Sequence, residues 1–329
     1  PLMEIVTEPD LAGAGEVRAL ALELQRIVRA IGVSEADMQK GHMRFEPNIN
    51  LKITRQGQVF KTPIAEVKNL NSFRALERSV EAETDRQLEA FLETGQTLQM
   101  GNKTTRGWDD VRQVTVLQRE KEEAHDYRYF PDPDLVPVRM DPAWLERIRA
   151  GLCELPLERQ FRFVRDYGLS DYDAGVLTQE RSAADLFDEA VRAGGQPKRI
   201  CNLLTQVGLR IVHDRGCAFA DLKLGAREVA SLAGMIEGGQ VSASAGARIL
   251  EEMISTGQDP QTLAGRLDLL QKSDAAELEV VVDQVLAACP QALEEVRSGG
   301  KKSQKARSFL VGQVMQRTRG QANPSVVSE

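Results

Sequence analysis

The chain is poor in the residues that build covalent scaffolds, and it has no run long enough to build a membrane span. Its four cysteines, Cys153, Cys201, Cys217 and Cys289, form no CxxC pair. Neither a disulfide framework nor a cysteine-rich zinc site is therefore expected, and free thiols suit a reducing compartment. Apolar runs fall short of the roughly 18–20 residues that cross a bilayer. The start, PLMEIVTEPD, lacks a basic region followed by an apolar one, so no signal peptide is expected. A cytoplasmic chain without a membrane partner is the expectation. GxGxxG, HExxH, nucleophile-elbow and zinc-ligand spacings are missing too. SGGKKS at 298–303 approaches a Walker loop but has the wrong glycine spacing and follows a helical pattern, not a strand. His213 and Cys217 lie about one helical turn apart, which reads as an ordinary core or surface pair. The commonest nucleotide-binding and protease readings are excluded.

What is present is ordinary globular material. Hydrophobic residues make up 42% and charged residues 28% of 329 positions, which predicts two or three domains, each with its own core. Net charge is −7, yet residues 297–328 contain no carboxylate. That stretch holds Arg297, Lys301, Lys302, Lys305, Arg307, Arg317 and Arg319. Such asymmetry points to a polyanionic partner, with a solvated helix face as the alternative.

The pattern predicts an α+β fold. LMEIV reads as a short strand, and GEVRALALELQRIVRAIG as an amphipathic helix with Val17, Leu20, Leu24 and Ile27 on one stripe, closed by Gly32. MRFEPNINLKIT alternates like a strand, and QVFKTPIAEVKNL follows as its hairpin partner across the turn at Arg55–Gly57. Ser72 is placed to cap a long helix with Phe73, Leu76, Val80, Leu88 and Phe91 on its buried side, stopped by Gly95. VTVLQR is a further strand. After Asp141 only helical patterns follow, with a break at GQDP, 257–260. The boundaries predicted are 1–140 for a mixed α/β domain, 141–256 for a helical domain and 257–329 for a small helical tail domain.

Carboxylates gather at the ends of the β-segments: Glu4, Glu8 and Asp10, then Glu46, then Glu66 beside Lys68, Asn69 and Asn71. Oxygen ligands of this kind suit Mg²⁺, which commonly takes one or two carboxylates and leaves the rest of its shell to water and phosphate. Strand alternation puts Glu46, Asn48 and Asn50 on one polar face, away from Phe45, Ile49 and Leu51. By pattern alone a solvated sheet face is the simpler reading. The loop HDYRYFPDPDL, 125–135, fits neither a helical nor a strand period, because its prolines prevent a long hydrogen-bonded run.

Several stretches together carry a resemblance: PLMEIVTEPD, GHMRFEPNINL, EVKNLNSFRALERSVEAE, TTRGWDD, EKEEAHDYRYFPDPDLVPV and ARSFLVGQVMQRTRGQANPSVV. In this order they resemble the GatB family, the tRNA-binding kinase components of glutamyl/aspartyl-tRNA amidotransferases, from the first residue nearly to the last. The resemblance implies an ATP- and Mg²⁺-dependent activity that phosphorylates the side-chain carboxylate of Glu-tRNA(Gln) or Asp-tRNA(Asn). Ammonia from a separate amidase chain then displaces phosphate, and a small third chain completes the assembly. It implies that residues 1–140 are the later part of a catalytic cradle, with catalytic roles for Arg44, Glu66 and Lys68, metal roles for Glu4 and Glu46, and a place in the cradle wall for Asp126 and Arg128. It also implies tRNA contacts by Lys301, Lys302, Lys305, Arg307, Arg317 and Arg319. Where the family usually has Arg-Cys-Asp and an Asn two places on, this chain has Arg44, Phe45, Glu46, Pro47 and Asn48. The family's Glu-x-His motif and a further acidic motif lie upstream of PLMEIVTEP, so the chain reads as lacking the first part of the cradle. A non-catalytic tRNA-binding or scaffolding module is the competing expectation.

Overall fold

The computed structural model describes residues 2–121, 133–137, 139–271, 275–299, 302–318, 322 and 324–328. Two compact units divide the chain, Pro1–Pro156 and Leu157–Glu329. The secondary structure is α+β, as the pattern predicts: strands occur in the first unit, and the described elements of the second are helical.

Helix α1, Ala14–Ala30, opens the first unit and gives way to Gly32 at φ 73°. Four strands then form a mixed sheet in the order β1-β4-β5-β6: β1 is Asn48–Ile49, β4 Ala65–Lys68, β5 Lys103–Asp109 and β6 Val114–Lys121. The β4–β5 pair is parallel and its neighbours are antiparallel. Parallel pairing requires a crossover, and α2, Phe73–Thr94, supplies it. Ser72 caps this helix by accepting from the Ala75 N–H, and Gly95 ends it in the left-handed region at φ 69°. Strands β2, Lys52–Arg55, and β3, Gln58–Lys61, form a separate hairpin.

Three expectations need correction here. LMEIV forms no strand; residues 2–10 are exposed and lie outside the described sheets. MRFEPNINLKIT is not one continuous strand. Its Asn48–Ile49 piece pairs with β4, whereas its Lys52–Arg55 piece pairs with β3, so Glu46 and Asn50 lie outside the ladders. The change of partner is fixed by the Thr62 hydroxyl, which accepts from the Leu51 N–H at 2.7 Å and donates to the Gln87 amide oxygen. On α2, Gln87 is buried and Leu88 is 41% exposed, the reverse of the expected stripe. Gln87 turns inward because its amide nitrogen reaches the Ile49 carbonyl at 3.0 Å and Glu83 Oε1 at 2.8 Å. The apolar core of this unit comprises Ala21, Ile49, Val67, Leu70, Ala75, Leu76, Val80 and Trp108. Helix α3, Pro142–Gly151, is N-capped by Asp141 and buries none of its residues.

The second unit begins with α4, Pro156–Tyr167, α5, Asp171–Leu177, and α6, Arg181–Arg192. The expected helix at 198–216 is α7, Pro197–Asn202, running through a wider π segment at Leu203–Gly208 into α8, Leu209–Arg215. Next come α9, Ala226–Glu237, α10, Ala243–Thr256, and α11, Pro260–Arg266. Phe163, Phe187, Ile200, Leu204, Leu232, Ile249 and Leu250 are fully buried in their shared core. A separate apolar cluster of Leu278, Val285, Leu310, Val314 and Ala322 joins α12, Ala275–Ala288, to α14, Ser303–Arg317. Helix α13, Pro290–Ser298, and α15, Pro324–Ser328, complete the described elements.

Candidate functional site

Strand β4 has alternating sides. Ala65 and Val67 are buried towards the core, which leaves Glu66 and Lys68 on the opposite face. Three of the expected site residues meet there. Lys68 Nζ lies 3.0 Å from Glu46 Oε2 and 3.7 Å from Glu66 Oε1. Glu66 is the most enclosed, with 15% of its side chain exposed, and it accepts from the Thr105 hydroxyl at 3.2 Å. That contact follows from the register, which pairs Glu66 with Thr105 on β5 and with Asn48 on β1. One ammonium between two carboxylates leaves a net negative, oxygen-rich face beside a cation that a phosphate could engage.

Next along the register, Lys68 pairs with Gly107. A Cβ at Gly107 would overlap the side-chain amide of Gln118 from β6 and stand 3.1 Å from Asn69 Nδ2. Two amide ends therefore lie against a bare stretch of backbone. Asn69 can do this because φ is +64°, a conformation that asparagine tolerates better than most residues. A glycine inside a strand commonly marks such a close approach. TTRGWDD contains that signal, but Gly107, Thr105 and Gln118 were not expected from it, since nothing in the local pattern tells which distant side chains lie above the glycine.

Beneath the sheet is a second group that the sequence reading missed. Glu83 on α2 is fully buried. It accepts from Arg86 at 2.5 and 2.9 Å, from Gln87 at 2.8 Å and from the Thr115 hydroxyl at 2.6 Å. Arg106 Nε stands 3.3 Å from the same carboxylate and donates to Thr115 Oγ1 at 2.9 Å. Burial pushes the Glu83 carboxyl up, but the hydrogen bonds from Arg86, Thr115 and Gln87, with the Arg86 charge, outweigh it and hold the pKa below the ordinary carboxylate value. This network clamps α2 to β5 and β6 and so sets the height of β5, which bears Thr105 and Gly107.

The other expected site residues are placed differently. Arg44 is exposed two residues before Glu46. Glu4 is exposed in the strandless N-terminal segment. Among the described residues no three His, Cys, Asp or Glu side chains are grouped so as to hold a metal ion, so Glu4, Glu46 and Glu66 do not form such a trio. Asp126 and Arg128 lie outside the described residues, as do Lys301 and Arg319. Lys302 and Lys305 are exposed at the start of α14, which turns Ala306, Leu310 and Val314 inward. Arg307 is held by the Ser328 carbonyl, and Arg317 is exposed at the end of the helix. Lys305 and the half-exposed Phe309 are one turn apart, so cation and ring share a face. No described helix is long and apolar enough to cross a membrane.

Residues 1–146 match the GatB/GatE catalytic domain family, and residues 185–329 match the GatB domain family. Over all 329 residues the chain is 41% identical to the GatB-type component of the aspartyl/glutamyl-tRNA(Asn/Gln) amidotransferase of Carboxydothermus hydrogenoformans, covering 66% of that protein. Identity is 44% to the corresponding protein of Solidesulfovibrio magneticus and 42% to that of Moorella thermoacetica, with 67% of each covered. The chain thus spans about two thirds of the length of the curated relatives it matches.

Proposed function

The chain belongs to the GatB family of tRNA-dependent amidotransferase components, and from that premise we propose that it takes part in ATP-dependent amidation of a side-chain carboxylate carried on tRNA. The observation that carries the reading is Lys68, held between Glu46 and Glu66 on the open face of the sheet. Phosphoryl transfer needs positioning and charge neutralisation more than covalent help from the protein. One oxygen of the aminoacyl side-chain carboxylate attacks the γ-phosphorus of ATP and ADP departs, giving an acyl phosphate. Ammonia then adds to the acyl carbon, phosphate leaves, and a proton passes to solvent as the amide forms.

The donor set fits Mg²⁺, since Glu46 and Glu66 are hard oxygen donors of the number this ion commonly takes from protein. Those two residues would hold it, and when bound it supplies charge neutralisation on the phosphate oxygens. Lys68 neutralises the transferred phosphoryl group from the protein side, while the exposed Arg44 is available to the remaining phosphates. Thr105 fixes the Glu66 carboxylate through its hydroxyl. Lys302, Lys305 and Arg317 serve the tRNA backbone. Ammonia comes from a partner amidase, and a small third chain joins the two in a cytoplasmic assembly.

The test uses the full-length protein in its complex with tRNA charged with glutamate or aspartate. Glu46→Gln and Lys68→Met should each lower tRNA-dependent phosphate release by about a hundredfold or more while tRNA binding is retained. Near wild-type turnover by both variants at saturating Mg²⁺ would replace this reading with a tRNA-binding module whose chemistry lies elsewhere.

A further inference from the structure

Resting on the reading above, we propose that the side-chain amides of Asn69 and Gln118, meeting over Gly107, form the seat for the acyl oxygen of the aminoacyl side chain being amidated. Four observations converge on it. Gly107 is the register partner of Lys68, so the seat adjoins the ammonium and carboxylates already described. The amide nitrogens of Asn69 and Gln118 are the atoms nearest the place where a Cβ would stand. Gln118 and Asn69 are exposed, and among the described residues neither side chain has a hydrogen-bonding partner of its own. Asn69 sits in the left-handed region at φ +64°, a conformation that asparagine tolerates better than most residues.

The chemistry selects the ligand atom. Along the proposed reaction the side chain is first a carboxylate, then an acyl phosphate, then an amide. One oxygen stays bonded to the acyl carbon throughout, while its charge falls from a shared negative charge to none. A second lysine or arginine would hold the carboxylate well and release the neutral amide badly. Neutral N–H donors can stay on that oxygen in all three states, and they strengthen as negative charge builds in the tetrahedral adduct with ammonia. Lys68, already paired with Glu46 and Glu66, is left for phosphate. Gly107 is required because any larger residue would push the Gln118 amide off the strand.

Two variants test this without endangering the fold. In Gly107→Ala the new methyl meets mainly the far end of the exposed, flexible Gln118 side chain. Gln118→Met keeps length and removes the donor. In the full-length complex each should raise KM for the charged tRNA by roughly tenfold, the loss expected for a hydrogen bond to a charged or developing-charge oxygen. KM for ATP and the Kd for uncharged tRNA, measured by filter binding, should not change. The double variant should be no worse than Gly107→Ala alone, because both act through one amide. Wild-type KM values in both variants, or a rise confined to ATP, would overturn the proposal while leaving the amidotransferase reading intact. If wild-type complex releases no phosphate with charged tRNA, the wider reading falls and this seat with it.

Discussion

Asp188 on α6 is 2% exposed, and three side chains of α4 converge on it. Arg159 and Arg162 each reach Asp188 Oδ2 at 2.7 Å, and the Tyr167 hydroxyl reaches Oδ1 at 3.2 Å. Arg162 also lies over the Phe163 ring, 5.0 Å from its centroid. Burial pushes the Asp188 carboxyl up, but hydrogen bonds from Arg162 and Arg159 and their charges prevail, leaving its pKa below the ordinary value of 3.8. A depressed carboxyl contributes stability above its unfolded pKa and loses it as pH falls through the folded value. Asp188→Asn should therefore destabilise the protein at pH 7 by about 3 kcal/mol, the low end for a broken buried pair, since the buried carboxylate that Arg159 and Arg162 share is lost while Arg159 keeps Asp185 at 2.6 Å. The gap to wild type should close as pH is lowered through and below the ordinary aspartate range, which urea titrations at several pH values can read. A constant gap down to the acid limit would mean that packing, not charge, holds α4 to α6. In the candidate site, by contrast, the sequence made Glu46, Glu66 and Lys68 legible as charges at strand ends. It could not show Gly107 with Gln118, because their meeting depends on the pairing of β5 with β6 and on the irregularity between Thr105 and Arg106.

Elements were legible wherever period and punctuation agreed. The Ser72 cap, the Gly95 stop and the hairpin at Gln56–Gly57 stand as the pattern predicts. LMEIV failed because β-propensity alone does not make a strand; pairing partners do. The Leu88 stripe failed because a helical wheel counts apolar residues and cannot foresee that Gln87 will satisfy three polar neighbours inside the core. Close packing between helices is likewise invisible in sequence, and Gly195 in the turn between α6 and α7 illustrates it. A Cβ there would come within 2.7 Å of Ile200 Cδ1 and 2.9 Å of the Ala230 Cα on α9. Because one of those atoms is backbone, relief requires moving a helix. Gly195→Ala should cost about 1–3 kcal/mol by overpacking, whereas Gly234→Ala, with nothing within 4 Å of the added methyl, should be neutral or stabilising by about 0.5–1 kcal/mol. Thermal melts of the two variants check both signs, and equal melting temperatures would show that α6 and α9 separate at no cost.

At the scale of the whole molecule, a chain of net charge −7 has a stretch, residues 297–328, with cations and no carboxylate, and the fold divides those cations by role. Arg307 is engaged by the backbone at Ser328, while Lys302, Lys305 and Arg317 face solvent. Lys302 and Lys305 stand at the N-terminal end of α14, where the helix dipole disfavours cations and no first-turn carboxylate offsets it. Residues that weaken their own helix are better accounted for by an external anion than by folding, and Phe309 beside Lys305 adds a ring on which a base can stack. Removing the whole segment would test this badly, since Leu310 and Val314 pack against Leu278 and Val285 and their loss would open that core. Substituting Lys302→Gln and Lys305→Gln leaves the packing untouched. If both lysines contact phosphates, the double variant should bind tRNA more weakly at low salt, and its slope of log K against log salt should be shallower by about 1.4–1.8. The two isotherms should converge as salt rises. An unchanged slope would mean that the exposed face of α14 is only solvated surface and that the tRNA is held elsewhere.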